Sequence, residues 1–148
     1  MIKLRKFSLS DLREVMEIEK ISFPNQKTWS KDYFKKIYQK YPQEFLVAEI
    51  GGKIAGYIIG QKGENKAKII SLAVSPRVRK KGVGTILTKF LLDHFKKGRI
   101  KKVSLHTRTK NKIGVLFFKK IGFEISKKIK EYYKNGDDAY LMKKKLGN

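Results

Sequence analysis

Residues 69–92 read IISLAVSPRVRKKGVGTILTKFLL. The first six, an apolar run almost without interruption, have the character of a strand buried on both faces. Pro76 closes that run, three cations follow at Arg79, Lys80 and Lys81, and two glycines stand at Gly82 and Gly84. After the glycines, apolar residues return at helical spacing, so the stretch reads as strand, loop and a helix from about Gly84 to Lys97. Glycines let backbone N–H groups approach a ligand closely, and a helix N-terminus adds the positive end of its dipole. With three cations beside them, these groups suit a pyrophosphate. The stretch is not a P-loop, because Gly-x-x-x-x-Gly-Lys-[Ser/Thr] is absent. It also lacks the third glycine and downstream acid of the dinucleotide fingerprint.

Working outward, IKLRKF predicts a short first strand, and SLSDLREVMEIEKISF a helix capped by Ser8 or Ser10, with Leu12, Val15, Met16 and Ile18 on its apolar side. A second helix, TWSKDYFKKIYQKY, takes Ser30 as cap and presents Tyr33, Phe34, Ile37 and Tyr41, with Pro42 beyond its end. EFLVAEIGGKIAGYIIGQK carries the hairpin signal of two β-rich runs around Gly51-Gly52. Beyond the opening stretch come a strand at KKVSLHT, a helix at NKIGVLFFKKIG ended by Gly122, a strand at FEISKKI and, past an Asn135-Gly136 turn, a last strand at AYLMKKKL. The order β-α-α-β-β-β-α-β-α-β-β predicts one α+β, or mixed α/β, domain over residues 1–148, its helices folded onto a largely antiparallel sheet. The helix between IISLAV and VSLHT also allows those two strands to run parallel.

The 148 residues include no cysteine, which excludes disulfides, thiolate metal sites and a cysteine nucleophile. No cluster has metal-ligand spacing, no run reaches the ~20 apolar residues of a membrane span, and the N-terminus lacks the pattern of a signal peptide. A cytoplasmic protein without membrane contact, a monomer or weak dimer, is the expectation. Lys and Arg number 36 against 13 Asp and Glu, a net charge of +23. Such an excess favours polyanions such as RNA or the ribosome. The lysines are spread over the whole chain, so a source-wide composition explains them equally well.

Taken whole, IISLAVSPRVRKKGVGTILTKFLL resembles motif A of the GNAT acyltransferases, with Arg79, Gly82 and Gly84 on the defining positions of Arg/Gln-x-x-Gly-x-Gly/Ala. LHTRTKNKIGVLFFKKIGF resembles the family's next motif, with Asn111, Gly122 and Phe123 in place, and IEKISFPNQKTWSKDYF is similar to the opening of RimI-like enzymes. VSLHTRTKN and YYKNGDDAYLMKKKL resemble segments of archaeal and eukaryotic protein N-terminal α-amino acetyltransferases. The resemblance implies an enzyme that uses acetyl-CoA and releases CoA, with protein or peptide N-termini as substrate. It implies that the backbone of Leu72, Ala73 and Val74 pairs with the pantetheine arm and that Arg79, Lys80, Lys81, Gly82, Val83, Gly84 and Thr85 hold the pyrophosphate. Asn111 is then a cofactor contact near the arm's bend, and Phe118 a further one. Phe23, Pro24 and Asn25, with Tyr132 and Tyr133, line the peptide slot.

Two positions depart from the family's pattern. Phe118 stands where relatives often have a tyrosine, and Asn25 stands where some carry a glutamate. Neither side chain transfers a proton, which leaves His106 as the candidate base, acting through water with an imidazole largely neutral at pH 7. An α-amine of pKa ~7.8 is roughly 14% neutral at that pH and a lysine of ~10.4 about 0.04%, a difference of ~3.5 kcal/mol in deprotonation. A weak base therefore suits α-amines. The alternatives are a GNAT enzyme acting on lysines or small amines, and a basic RNA- or ribosome-binding module without catalysis. His94, Trp29, Asp137 and Asp138 read as structural or solvent residues.

Overall fold

A computed structural model describes residues 1–23 and 29–147. The elements run β1 (Ile2–Lys6), α1 (Leu12–Ser22), α2 (Lys31–Lys40), β2 (Phe45–Ile50), β3 (Lys53–Lys62), β4 (Lys66–Val74), α3 (Val83–Lys97), β5 (Lys102–Arg108), α4 (Lys112–Ile121), β6 (Glu124–Ile129) and β7 (Ala139–Lys145). This is the order expected from the sequence. The strands form one seven-stranded sheet in the order β1-β2-β3-β4-β5-β7-β6, with a parallel pairing between β4 and β5. The chain divides into two compact units, Met1–Gln61 with Ser71–Leu91, and Lys62–Ile70 with Leu92–Asn148.

In the first unit, β1, β2 and β3 pair antiparallel. The tight turn at Gly51-Gly52 has φ of 59° and 80°, the left-handed pair that a two-residue hairpin turn requires. Phe7 stacks on Phe45 at 3.9 Å between centroids, and Phe34 and Tyr57 complete an aromatic core on that sheet face, while Leu87 of α3 lies on the other face beside Gly56. The Arg5 guanidinium is forked onto Asp11 at 2.8 Å and donates to Glu49 at 2.6 Å, tying the start of α1 to β1 and β2. That hydrogen-bonded guanidinium holds the Asp11 carboxyl below its ordinary pKa. Helix boundaries differ slightly from expectation. Ser8 precedes a 3-10 turn, Leu9–Asp11, and α1 starts only at Leu12; α3 starts one residue early, at Val83. Of the apolar face expected for α2, only Phe34 is buried, while Tyr33 is exposed.

In the second unit, β5 and β6 flank β7, both antiparallel to it. The parallel pairing of β4 with β5 covers Lys66–Lys68 and Lys102–Ser104. One sheet face, carrying Ala67, Val103, Leu105 and Met142, is buried with Val115, Phe118 and Phe123. The alternation along β5, with Lys102, Ser104, His106 and Arg108 half-buried between buried neighbours, is that of a sheet covered on one side.

Candidate active site

The first unit carries the loop singled out by its glycines. Val78 and Val83, both buried, anchor its ends, while Arg79, Lys80, Lys81 and Gly82 between them are exposed. Arg77 donates to the Ile54 carbonyl at 3.1 Å and so pins the turn before the loop to β3. Gly82 has φ +82°. A Cβ built there would meet nothing within 4 Å, so space over the backbone is open, and the glycine serves the left-handed conformation as well as access. Val83, Gly84 and Thr85 form the first turn of the 15-residue α3, whose leading N–H groups have no partner inside the helix. Open backbone, a helix N-terminus and three exposed cations fit a pyrophosphate.

Leu72, Ala73 and Val74 lie beyond the three residue pairs that β4 makes with β5. Two features that sequence reading missed hold this stretch. Gly56 on β3 lies so close that a Cβ on it would stand 2.9 Å from the Ala73 carbonyl oxygen and 3.1 Å from a Val83 methyl. Glu19 is 4% exposed; its carboxylate accepts from the Trp29 N–H at 2.9 Å and the Tyr57 hydroxyl at 3.4 Å, and that hydroxyl lies 3.0 Å from Ser71 Oγ. Burial pushes the Glu19 carboxyl up against the opposing effect of its two donors. The signal was available: Leu12, Val15 and Glu19 share one helical stripe, so a charged side chain stood on the core side of α1. Trp29 packs on Tyr33 and Phe34, as an anchor for α2. Phe23 is half-buried at the end of α1. Pro24 and Asn25 lie outside the described residues.

The second unit holds the other candidates. His106, on β5, stacks face to face on Tyr132 at 4.5 Å and 8°, and Tyr132 meets Tyr133 edge-on at 5.0 Å. Burial lowers the His106 pKa, and the charges of Lys68 and Lys127 lower it further, so the imidazole is neutral at pH 7. The Arg108 guanidinium sits 3.8 Å from the Tyr133 ring centroid and donates to Asp137 at 3.0 Å. Asp137 also accepts from Lys110 and from Asn135, both at 2.9 Å, and the Tyr133 N–H bonds its carbonyl at 3.1 Å. Asp138 accepts from the Glu131 N–H at 2.9 Å. These aspartates are the turn residues expected, but half-buried ones whose bonds organise the β6–β7 connection. The bonds from Lys110 and then Asn135 hold Asp137 down to about 2.

Asn111 caps α4, its Oδ1 accepting from the Gly114 N–H at 3.0 Å. Phe118 is buried, edge-on to Phe117 and Phe123. Among the described residues no group of three His, Cys, Asp or Glu side chains is placed to hold a metal, and no helix is long and apolar enough to cross a membrane.

A β4–loop–α3 unit with an open glycine backbone and exposed cations, in a seven-stranded sheet with one parallel pair, is the architecture that the GNAT resemblance implied. The family model for GNAT acetyltransferases matches residues 12–123. The chain is 36% identical to an uncharacterized N-acetyltransferase of Methanocaldococcus jannaschii, over 98% of this chain and 92% of that protein. It is 28% identical to an N-alpha-acetyltransferase of Sulfurisphaera tokodaii, over 95% and 90%. Among solved structures, Ard1 from Thermoplasma volcanium superposes with a TM-score of 0.93 at 27% identity, covering 99% of both chains. The chain belongs to the GNAT acetyltransferase family. It is an acetyl-CoA-dependent N-acetyltransferase.

Proposed function

We propose that this enzyme acetylates the α-amino group of protein N-termini in the cytoplasm. The observation that carries this reading is the neutral His106 imidazole held flat against Tyr132, with Tyr133 beside it. A relative named N-alpha-acetyltransferase and the likeness to Ard1 support the same acceptor. The family match draws on both compact units, which supports their working as one acetyltransferase domain.

Acetyl-CoA supplies the activated thioester, and CoA is the product. Arg79, Lys80 and Lys81, with the N–H groups of Val83, Gly84 and Thr85, neutralise and orient the pyrophosphate, and the backbone of Leu72, Ala73 and Val74 aligns the arm. Asn111 presents its remaining amide group to the arm's bend, and Phe118 fixes the α4 face beneath. His106 accepts, through water, the proton that the α-ammonium must lose before its nitrogen can attack. An imidazole of lowered pKa is a weak base, adequate for an α-amine at ~7.8 but not for a lysine at ~10.4. Tyr132 and Tyr133, with Phe23, Pro24 and Asn25, contact the first residues of the peptide.

Steady-state transfer to a lysine-free peptide with an open N-terminus tests this. The expected result is turnover by the wild type, with a peptide KM roughly tenfold higher in Tyr133→Ala and an unchanged KM for acetyl-CoA, about the 1.4 kcal/mol of one lost ring contact. Turnover restricted to peptides with a blocked N-terminus and a free lysine overturns it.

A further inference from the structure

The register of the second unit gathers cations onto one face of its sheet. Lys66 on β4 is opposite Lys102 on β5, and Lys102 is opposite Lys145 on β7. Two residues along, Lys68 is opposite Ser104 and Ser104 opposite Lys143. Residues directly opposite share a face, as do residues two apart, so these lysines all project from the side opposite the buried one. A bulge between Ile125 and Lys127 returns β6 to this side, bringing Lys127 opposite Leu141. One carboxylate, Glu124, faces Lys143. Lys66, Lys68, Lys127 and Lys145 are exposed, and Lys102 and Lys143 half-buried. Among the described residues none of these ammonium groups has an ion-pair partner.

Like charges directly opposite one another destabilise a sheet. A three-strand row of lysines is therefore a standing cost that a polyanion would relieve. We propose that this lysine-paved face of β4, β5, β7 and β6 binds the phosphate backbone of RNA without reading its sequence. Lysine supplies point charges that neutralise phosphates without the bidentate fork through which arginine reads guanine, which suits binding that is blind to sequence. The arginine of this face, Arg108, is already engaged by Asp137 and Tyr133. Peptides add to sheets along edges and in grooves, and this cationic grid is two-dimensional. A flat face has no element to enter the major groove of duplex DNA but meets the shallow groove and backbone of A-form RNA. His106 with Tyr132 stacked on it, and Tyr133 beside Arg108, belong to this face but form the acceptor site of the proposed function. The lysine rows of β4 and β7 carry no aromatic side chain, which leaves the phosphate backbone as their ligand.

Fluorescence anisotropy with a short RNA hairpin, measured over a series of salt concentrations, tests the proposal. With six phosphates neutralised, log K should fall against log salt with a slope of about −4 to −5. The triple variant Lys66→Gln, Lys102→Gln, Lys145→Gln should lower that slope by about 2 and weaken binding about a hundredfold at 0.1 M salt. A control of equal charge change on α2, Lys31→Gln, Lys36→Gln, Lys40→Gln, should leave binding within threefold. Thermal unfolding of the face variant at or above the wild-type midpoint shows that it folds, and photo-cross-links of the wild type to β4, β5 and β7 peptides give a second readout. No RNA binding, equal losses in both triple variants, or cross-links confined to other elements overturns the proposal. Binding of poly-glutamate, or of a DNA duplex of the same length, as tight as that of RNA overturns it too.

Discussion

His106 and Glu19 show how differently single side chains can declare themselves. His106 stood out as an isolated imidazole in a strand of family-like pattern, and the structure adds the Tyr132 ring against it and the charges of Lys68 and Lys127 near it. Its lowered pKa places the proton loss that activates it below about 6.5. The rate against pH should therefore show an acid limb centred below 6.5 that moves up toward 6.5 in Lys68→Gln. His106→Gln should abolish that limb and reduce kcat/KM about 10²-fold. Glu19 acts through position. Glu19→Ala leaves the Trp29 N–H and the Tyr57 hydroxyl without this acceptor, and urea unfolding should report a loss of about 1–3 kcal/mol, most of it recovered in Glu19→Gln. Because burial raises the Glu19 pKa, its charged form is the less favourable one in the fold. The stability it costs is absent below the unfolded value of about 4.5, grows between that and the raised folded value, and is constant above it, a trend that Glu19→Gln should remove. The partners of Asp137 were not legible in sequence because Arg108 and Lys110 are distant in the chain, and only the folded β5–β7 pairing delivers them.

Elements were more legible than their edges. The glycine pair after β2, the Ser30 cap and the helix-ending Gly122 are local chemistry, and each stands where its residues indicated. The apolar face of α2 was misjudged because helical spacing alone does not say how wide a stripe the core covers. Beside the β4–α3 loop, the close approach of Gly56 was invisible in sequence, since it depends on β4 and α3 arriving beside β3. Gly56→Ala must displace the Ala73 carbonyl or the first turn of α3. A loss of about 1–3 kcal/mol in stability and a weaker Kd for CoA by calorimetry are expected. Gly82→Ala clashes with nothing, so its cost should be only the ~1–2 kcal/mol of an alanine held left-handed.

At the scale of the molecule, composition alone left the +23 charge ambiguous between a habit of the proteome and a surface with a purpose. Strand register separates lysines scattered over helices from those ranked on one sheet face, and the RNA proposal concerns only the latter. The acceptor is where sequence, fold and charge meet in one claim, that a neutral imidazole with aromatic neighbours serves α-amines. A single peptide with both a free N-terminus and an internal lysine, incubated at pH 7 with acetyl-CoA and mapped by fragment-ion mass spectrometry, tests that claim most directly. Acetylation of the N-terminal nitrogen is expected, with the lysine labelled about 350-fold more slowly, in line with the neutral fractions of the two amines. Labelling of the lysine at a rate equal to or above that of the N-terminus would contradict it.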